Sequence, residues 1–322
     1  MNLPYALRLV CLLAVVAGGM QLVLQLTLAL NGGTILRMLQ TANARQRERR
    51  LYFLQVGPAL AALLFAGAIF LPQYLLHEPN GDSERVSWIS VCAACGVVLW
   101  FGSAVIDAGH MAVCTLRFIR ASRLAGLTTE TQHAGLPVIT LPNAGHFVAL
   151  AGFLKPVIFV SDDLLQPGGL DKDALRLALD HERSHARRLD NWKLLSLRCL
   201  PRFFGPTGGG WFRQWQMAAE FAADDEAAGP NPARRLLLAE TLLKAARFAP
   251  PARTTMIYTA LTSGGEELSE RIDRLLRPKA RASGSPRQLV PAITVIGLSF
   301  VAASAAIVPW VYGISEWILH LN

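Results

Sequence analysis

Charge is scarce in this chain. Of its 322 residues only 17% are Asp, Glu, Lys or Arg, against about 25% in ordinary soluble domains, which argues against a fold solvated on all sides. Cysteine is scarce too. Cys11, Cys92, Cys95 and Cys114 fall in apolar stretches and Cys199 stands apart, so no disulfide framework is implied. Cys92 and Cys95 spell C-x-x-C, but "SVCAACGVVLW" has no second pair nearby and reads as small residues for helix packing. Internal repeats and low-complexity tracts are missing. So is any Lys or Arg after Arg287. The net charge of +8 is not a nucleic-acid footprint, because the basic residues gather beside apolar runs, where membrane topology requires them. No direct nucleic-acid partner is expected.

What the chain has instead is long apolar runs. Four are long enough for a bilayer, which needs about 20 apolar residues: about 9–30, 53–76, 86–114 and 289–311. The first is too long for a signal peptide, and an Arg-rich stretch follows it rather than a cleavage site. Arg37, Arg45, Arg47, Arg49 and Arg50 lie between the first two runs; Glu78, Asp82 and Glu84 dominate the next connection. Arg117, Arg120 and Arg123 follow the third, and Arg274, Arg277, Lys279, Arg281 and Arg287 precede the fourth. By the positive-inside rule both termini are outside and the long segment between the third and fourth runs is cytoplasmic. The expected layout is three spans in 1–114, a cytoplasmic domain over 115–288, and a fourth span with a short outer tail over 289–322. The few polar residues in the spans outline no transport pathway. Asp107 and His110 are expected at the headgroup interface.

The cytoplasmic segment opens with strand signals in "GLPVITL" and "HFVALAGFLKPVIFVSDDLL", the latter broken near Gly152 and Pro156. Next comes "LALDHERSHARRLDN". With Asp171 as N-cap and no Gly or Pro before Pro201, a helix is expected here. On a helix His181 and His185 share a face one turn apart, and Glu182 lies about 100° round from His181. Two imidazoles can then hold one Zn²⁺ while the carboxylate reaches its water.

A catalytic zinc needs a third protein ligand and an open position. "AAEFAADDEAA" offers Glu220 as ligand and Asp224, on the same face, as acceptor for a ligand histidine's N–H. Glu226 is a rival ligand without an equivalent same-face partner. "FFGPTGGGWF" reads as a glycine-rich turn before this helix, residues 233–247 as a further helix, and "EELSERIDRLLRP" as a final amphipathic one whose Leu268, Ile272, Leu275 and Leu276 form a packing stripe. His146 to Phe153, and His146, Phe147 and Val148 above all, form a candidate edge strand for docking an extended peptide.

With these pieces in order, the chain resembles the BlaR/MecR-type membrane metallopeptidases, antirepressor proteases of the gluzincin group. "AGFLKPVIFV" is similar to that family's strand before the zinc helix, "DHERSHARRLDN" to the zinc helix, "FFGP" with Trp211 to its aromatic-x-Pro element, "EFAADDEAA" to its Glu-x-x-x-Asp segment and "SERIDRLL" to its terminal helix. Ser161 departs from a common Pro, and the chain ends soon after the fourth run, so a C-terminal penicillin-binding sensor domain is not expected. The resemblance implies a mainly α membrane protein carrying an α+β, zincin-like domain, with one Zn²⁺ per chain held by His181, His185 and Glu220. Glu182 would be the general base and Asp224 would orient a ligand histidine. It implies a multi-pass protein of a bacterial inner membrane that cleaves a cytoplasmic protein, such as a winged-helix repressor or its own chain, in transmembrane signalling. The signal would enter through the spans, the outer loop or a separate sensor protein. An HtpX-like quality-control protease is the nearest alternative, and a non-catalytic signalling scaffold the alternative outside enzymes. No oxyanion-stabilising residue is identified; His146 and Tyr258 are the candidates.

Overall fold

The structure, a computed structural model, describes residues 4–77, 87–124, 131–142, 147–200, 205–247, 258–260 and 265–277. Its first part is helical: α1 (Tyr5–Leu30), α2 (Gly32–Leu39), α3 (Ala44–Leu64), a π-helical turn (Phe65–Phe70) leading into α4 (Leu71–His77), and α5 (Trp88–Leu124). Three helices, Tyr5–Leu30, Ala44–Leu76 and Trp88–Leu124, are long and apolar enough to cross a membrane. Leu60, Leu63, Leu64, Val98, Leu99 and Ile106 leave apolar faces exposed along them, as lipid contact requires. The run at 289–311 lies outside the described residues.

Both interior helices extend past their apolar runs. The Asn43 side chain accepts the Gln46 N–H at 2.8 Å and caps α3, which therefore starts nine residues before position 53, in the Arg-rich stretch. α5 continues through Cys114 to Leu124. Its 37 residues span about 56 Å at 1.5 Å per residue, well beyond a hydrocarbon core of about 30 Å. Met111, Thr115, Ile119 and Ser122, on one face that runs into this extension, are buried.

The second part contains β1 (Thr131–His133), β2 (Leu136–Leu141), β3 (Val148–Ala151), β4 (Val157–Ser161), a 3₁₀ turn (Asp162–Leu164), α6 (Lys172–Arg187), α7 (Asp190–Arg198), α8 (Gly205–Ala228), α9 (Pro232–Arg247), β5 (Tyr258–Ala260) and α10 (Gly265–Leu276). The sheet order is β1-β2-β4-β3-β5, with only the β2–β4 pair parallel. β3 and β4 are buried throughout, and alternation sends their side chains to two apolar layers. Val148, Leu150, Ile158 and Val160 pack with Leu177 and Ala178 of α6 and Leu238 and Leu242 of α9. Ala151, Val157 and Phe159 pack on Ile119 of α5. A third cluster joins Leu39, Leu51 and Met111 to Leu194, Leu197, Phe212 and Trp215, so the domain rests on the ends of the membrane helices.

Three expectations need correction. β3 is not an edge strand: β4 flanks it on one side, and Tyr258–Ala260 pairs with Ala149–Ala151 on the other. Phe147 and Val148 are engaged with β4, through Ser161 and Val160 respectively; His146 lies outside the described residues. The glycines from Gly205 to Gly210 form the first turns of α8, not a turn before it. The helix begun at Asp171, which accepts the Ala174 N–H at 2.7 Å, ends at Arg187, and Leu189, whose φ is +57°, separates it from α7, so "LALDHERSHARRLDN" is not one continuous helix.

Gly152 turns the chain between β3 and β4 with φ +89°, and a Cβ there would stand 2.9 Å from Ile119 Cδ1 and 3.3 Å from the Lys155 carbonyl oxygen. Gly152→Ala should therefore cost more than about 1 kcal/mol in backbone strain. It should lower the thermal unfolding midpoint of the detergent-purified protein; an unchanged midpoint would contradict this account of the turn.

Candidate metal centre

His181 and His185, one turn apart on α6, are fully buried. Their Nε2 atoms lie 3.2 Å apart. Glu220, from α8, places Oε2 3.4 Å from His181 Nε2 and Oε1 3.5 Å from His185 Nε2. The three side chains together can hold a metal ion, with one ligand atom from each lying within 4.8 Å of the others. A tetrahedral ion with bonds of about 2.0–2.1 Å needs ligand atoms roughly 3.3 Å apart, close to these separations.

The other ring nitrogens settle the chemistry of the donor set. His185 Nδ1 faces Asp190 Oδ2 at 2.8 Å, and His181 Nδ1 faces Asp224 Oδ1 at 3.0 Å. A carboxylate only accepts, so each imidazole places an N–H on Nδ1, and in its neutral form turns an Nε2 lone pair inward. Two nitrogen lone pairs and a carboxylate then converge on one point. That arrangement suits a cation, and these residues fit a zinc ion in both spacing and ligand type.

Each acceptor carboxylate is itself held by a buried arginine. Arg271, fully buried on α10, donates Nη2 to Asp224 Oδ1 at 2.7 Å and Nε to Asp224 Oδ2 at 2.9 Å. Its Nη1 lies 2.9 Å from Glu220 Oε2. Arg188 donates Nη2 to Asp190 Oδ2 at 2.7 Å and to the Ala219 carbonyl at 3.0 Å. The break at Leu189 makes the second set reachable. On an unbroken helix a residue five positions on would lie about 140° round the axis; the left-handed Leu189 brings Asp190 back under His185.

The ionisation of the group follows from these contacts. Burial alone would lift Glu220, but Arg271 and the two histidines outweigh it and bring its pKa down to about 2. Burial would lower His181, but hydrogen bonds to Asp224 and Glu220 prevail and raise it to about 9. His185 is lowered, chiefly by burial. Asp224 is held below the usual carboxylate range: burial opposes this, and Arg271 and His181 overcome it.

Glu182, next to His181, is fully buried. Its Oε2 accepts the Leu150 N–H of β3 at 2.9 Å. Burial, with the charge of Glu220 adding, raises its pKa to about 8. Asn191 Nδ2 donates to the Leu150 and Gly152 carbonyls at 3.2 and 2.8 Å, fixing the strand that carries this contact.

The structure thus brings together His181, Glu182, His185, Glu220 and Asp224. Glu226 points elsewhere, pairing with Arg187 at 2.7 Å. Asp107 and His110 are exposed on α5 and are not among the residues grouped as candidate metal ligands. Sequence reasoning missed Arg271, whose only signal is its place beside an apolar stripe. It also missed the roles of Arg188 and Asp190, which need the break at Leu189.

The profile of the family described as BlaR1 peptidase M56 matches residues 82–275, more than half of the chain. No curated protein matches the sequence.

A group whose pKa is raised by folding stabilises the fold below its unfolded value and loses that contribution as pH rises through the folded one. For Glu182 the window is 4.5 to about 8, and for His181 it is 6.5 to about 9. The unfolding midpoint of chelator-treated protein should therefore fall from pH 6.5 to 9, and Glu182→Gln should flatten part of the slope. A midpoint that rises over this range would refute the assignment.

Proposed function

The chain belongs to the BlaR1 peptidase M56 family, and from that premise we propose that it is an integral-membrane zinc metalloendopeptidase that cleaves a cytoplasmic protein in transmembrane signalling. The observation that carries this reading is the convergence of His181 Nε2, His185 Nε2 and Glu220 beside a buried carboxyl, Glu182, tied to the neighbouring strand. In this reading His181, His185 and Glu220 hold one Zn²⁺ per chain, and Asp224 fixes the tautomer of His181.

Zinc, when bound, supplies Lewis acidity that polarises the scissile carbonyl and acidifies a water. Glu182 takes the proton from the attacking water and delivers it to the leaving amine. Its raised pKa suits both halves of that task, since a nearby dication favours the carboxylate and burial favours the acid. The Leu150 N–H holds the carboxyl in place, and burial of the cluster excludes bulk water.

An extended segment of the chain itself supports the class of substrate. Thr259 stands opposite Leu150 in the β3–β5 pair, and Leu150 is the residue whose N–H holds Glu182. Because β5 occupies the outer edge of β3, a substrate strand, from a repressor such as a winged-helix protein or from this chain, would pair with β3 by taking the place of β5. The proposed frame is four spans in a bacterial inner membrane with both termini outside and a zincin-like domain in the cytoplasm over about 115–288. The bilayer and a separate sensor protein are the other partners; nucleic acid is not one.

The test uses wild type and Glu182→Ala, both purified in detergent, with metal content measured before cleavage. Both should hold one zinc. Only wild type should cut its own chain or a co-expressed winged-helix repressor, with the variant slower by about 10²–10⁴-fold. Equal cleavage by the two would remove Glu182 from the chemistry, and zinc in neither would end the metallopeptidase reading.

A further inference from the structure

A further buried carboxylate lies outside the cluster. Glu48, on the first turns of α3, is 2% exposed. It belongs to Ala44–Leu76, one of the helices able to cross the membrane. A charge in such a place is tolerated only where it is paired. Glu48 Oε1 accepts from Trp215 Nε1 of α8 at 3.0 Å and from Lys193 Nζ of α7 at 2.9 Å. The ammonium of Lys193 then continues inward. It donates to Asp190 Oδ1 at 3.1 Å, and the other oxygen of Asp190 faces His185 Nδ1 at 2.8 Å. A membrane helix is thus joined to a metal-ligand candidate by three contacts, none longer than 3.1 Å.

Attachment alone does not require this route. α3 also meets the domain through Tyr52 Oη and Ser196 Oγ at 3.0 Å, Gln55 Nε2 and the Trp211 carbonyl at 3.4 Å, and Arg47 and Gln214. It adds Leu51 to the apolar cluster with Leu194 and Trp215. Those contacts stop at the faces of α7 and α8. Glu48 differs in where its partner leads.

We propose that Glu48 is a positioning residue for His185, acting through Lys193 and Asp190, so that the seating of the second membrane span on the domain sets the orientation of a zinc ligand. The proposal rests on the reading of His185 as a ligand. Its physical content is the sharing of one ammonium between two carboxylates. Lys193 uses two of its three donors on Glu48 and Asp190. Without the charge of Glu48, the one-fifth-exposed Lys193 side chain turns toward water. Asp190 keeps Arg188 at Oδ2 but loses the contact at Oδ1 that stops the carboxylate rotating. The imidazole it orients loses definition with it. Any movement of α3 that draws Glu48 away has the same effect as the mutation, which gives a signal in the membrane a path to the metal.

The test uses the full-length protein in detergent, with zinc affinity read by competition against a chromophoric chelator and ligand geometry by the visible spectrum of the Co²⁺ form. Changing a direct partner of a ligand histidine typically costs about 10–100-fold in metal affinity, so Glu48→Gln, two steps further out beyond Asp190 and Lys193, should cost roughly 3–10-fold and shift the Co²⁺ bands. Lys193→Met should do the same, and the double variant should be no worse than either single one. Trp215→Phe removes the other hydrogen bond to Glu48; it should lower the unfolding midpoint while leaving zinc affinity and the Co²⁺ spectrum unchanged. Unchanged zinc affinity in Glu48→Gln, or additive losses in the double variant, would overturn the proposal. Should Glu48→Gln not accumulate, Lys193→Met against wild type and Trp215→Phe carries the same decision. Wild type without zinc affinity would instead sink the metal centre itself, so the two failures are distinct.

Discussion

Lone pairs aimed at a common point repel one another, and in a dry interior water does little to screen them. The peptidase part of the molecule is organised around this constraint. His181, His185 and Glu220 can converge because cations from elsewhere in the chain are buried alongside. Arg271 comes from α10, about fifty residues after Glu220, and clamps Glu220 and Asp224 together. Arg188 follows His185 closely and holds Asp190. α10 is fastened by more than Arg271: Arg274 meets Asp225 and lies over the Phe221 ring, and Glu266 and Glu267 meet Arg213. The terminal helix is therefore part of the site's scaffold, although no residue on it is a candidate ligand.

What was legible in the sequence is what helical period alone can place. His181 and His185, and Glu220 and Asp224, are pairs four residues apart, so one face is assured once the helix is. The three apolar helices were legible because length and hydropathy suffice. The misreadings share a different cause. β3 loses its outer edge to Tyr258–Ala260, a pairing over a hundred residues away that no local pattern announces. The turn at Leu189 needs a left-handed conformation at a leucine, which costs about 1–2 kcal/mol and has no residue signature. The glycines opening α8 carry turn propensity that their place in the fold overrides. Arg271 and Glu48 look in sequence like ordinary charged residues on amphipathic helices. Only tertiary packing turns them into buried partners of the site.

Charge balance connects the two halves of the cluster. On one side Asp190 and Glu48 face Arg188 and Lys193, and Glu226 has Arg187 as its nearer partner. That side is neutral with no help. On the other, Glu220 and Asp224 outnumber Arg271 by one charge. The protein offsets it by shifting both His181 and Glu182 toward their protonated forms. A dication among His181, His185 and Glu220 restores the same neutrality with both protons gone: two positive charges and Arg271 meet Glu182, Glu220 and Asp224. A monovalent ion would fall short of that balance. The electrostatics therefore favour a divalent metal on grounds separate from ligand spacing, and in the proposed mechanism the ion that completes the balance would leave Glu182 ionised as a base.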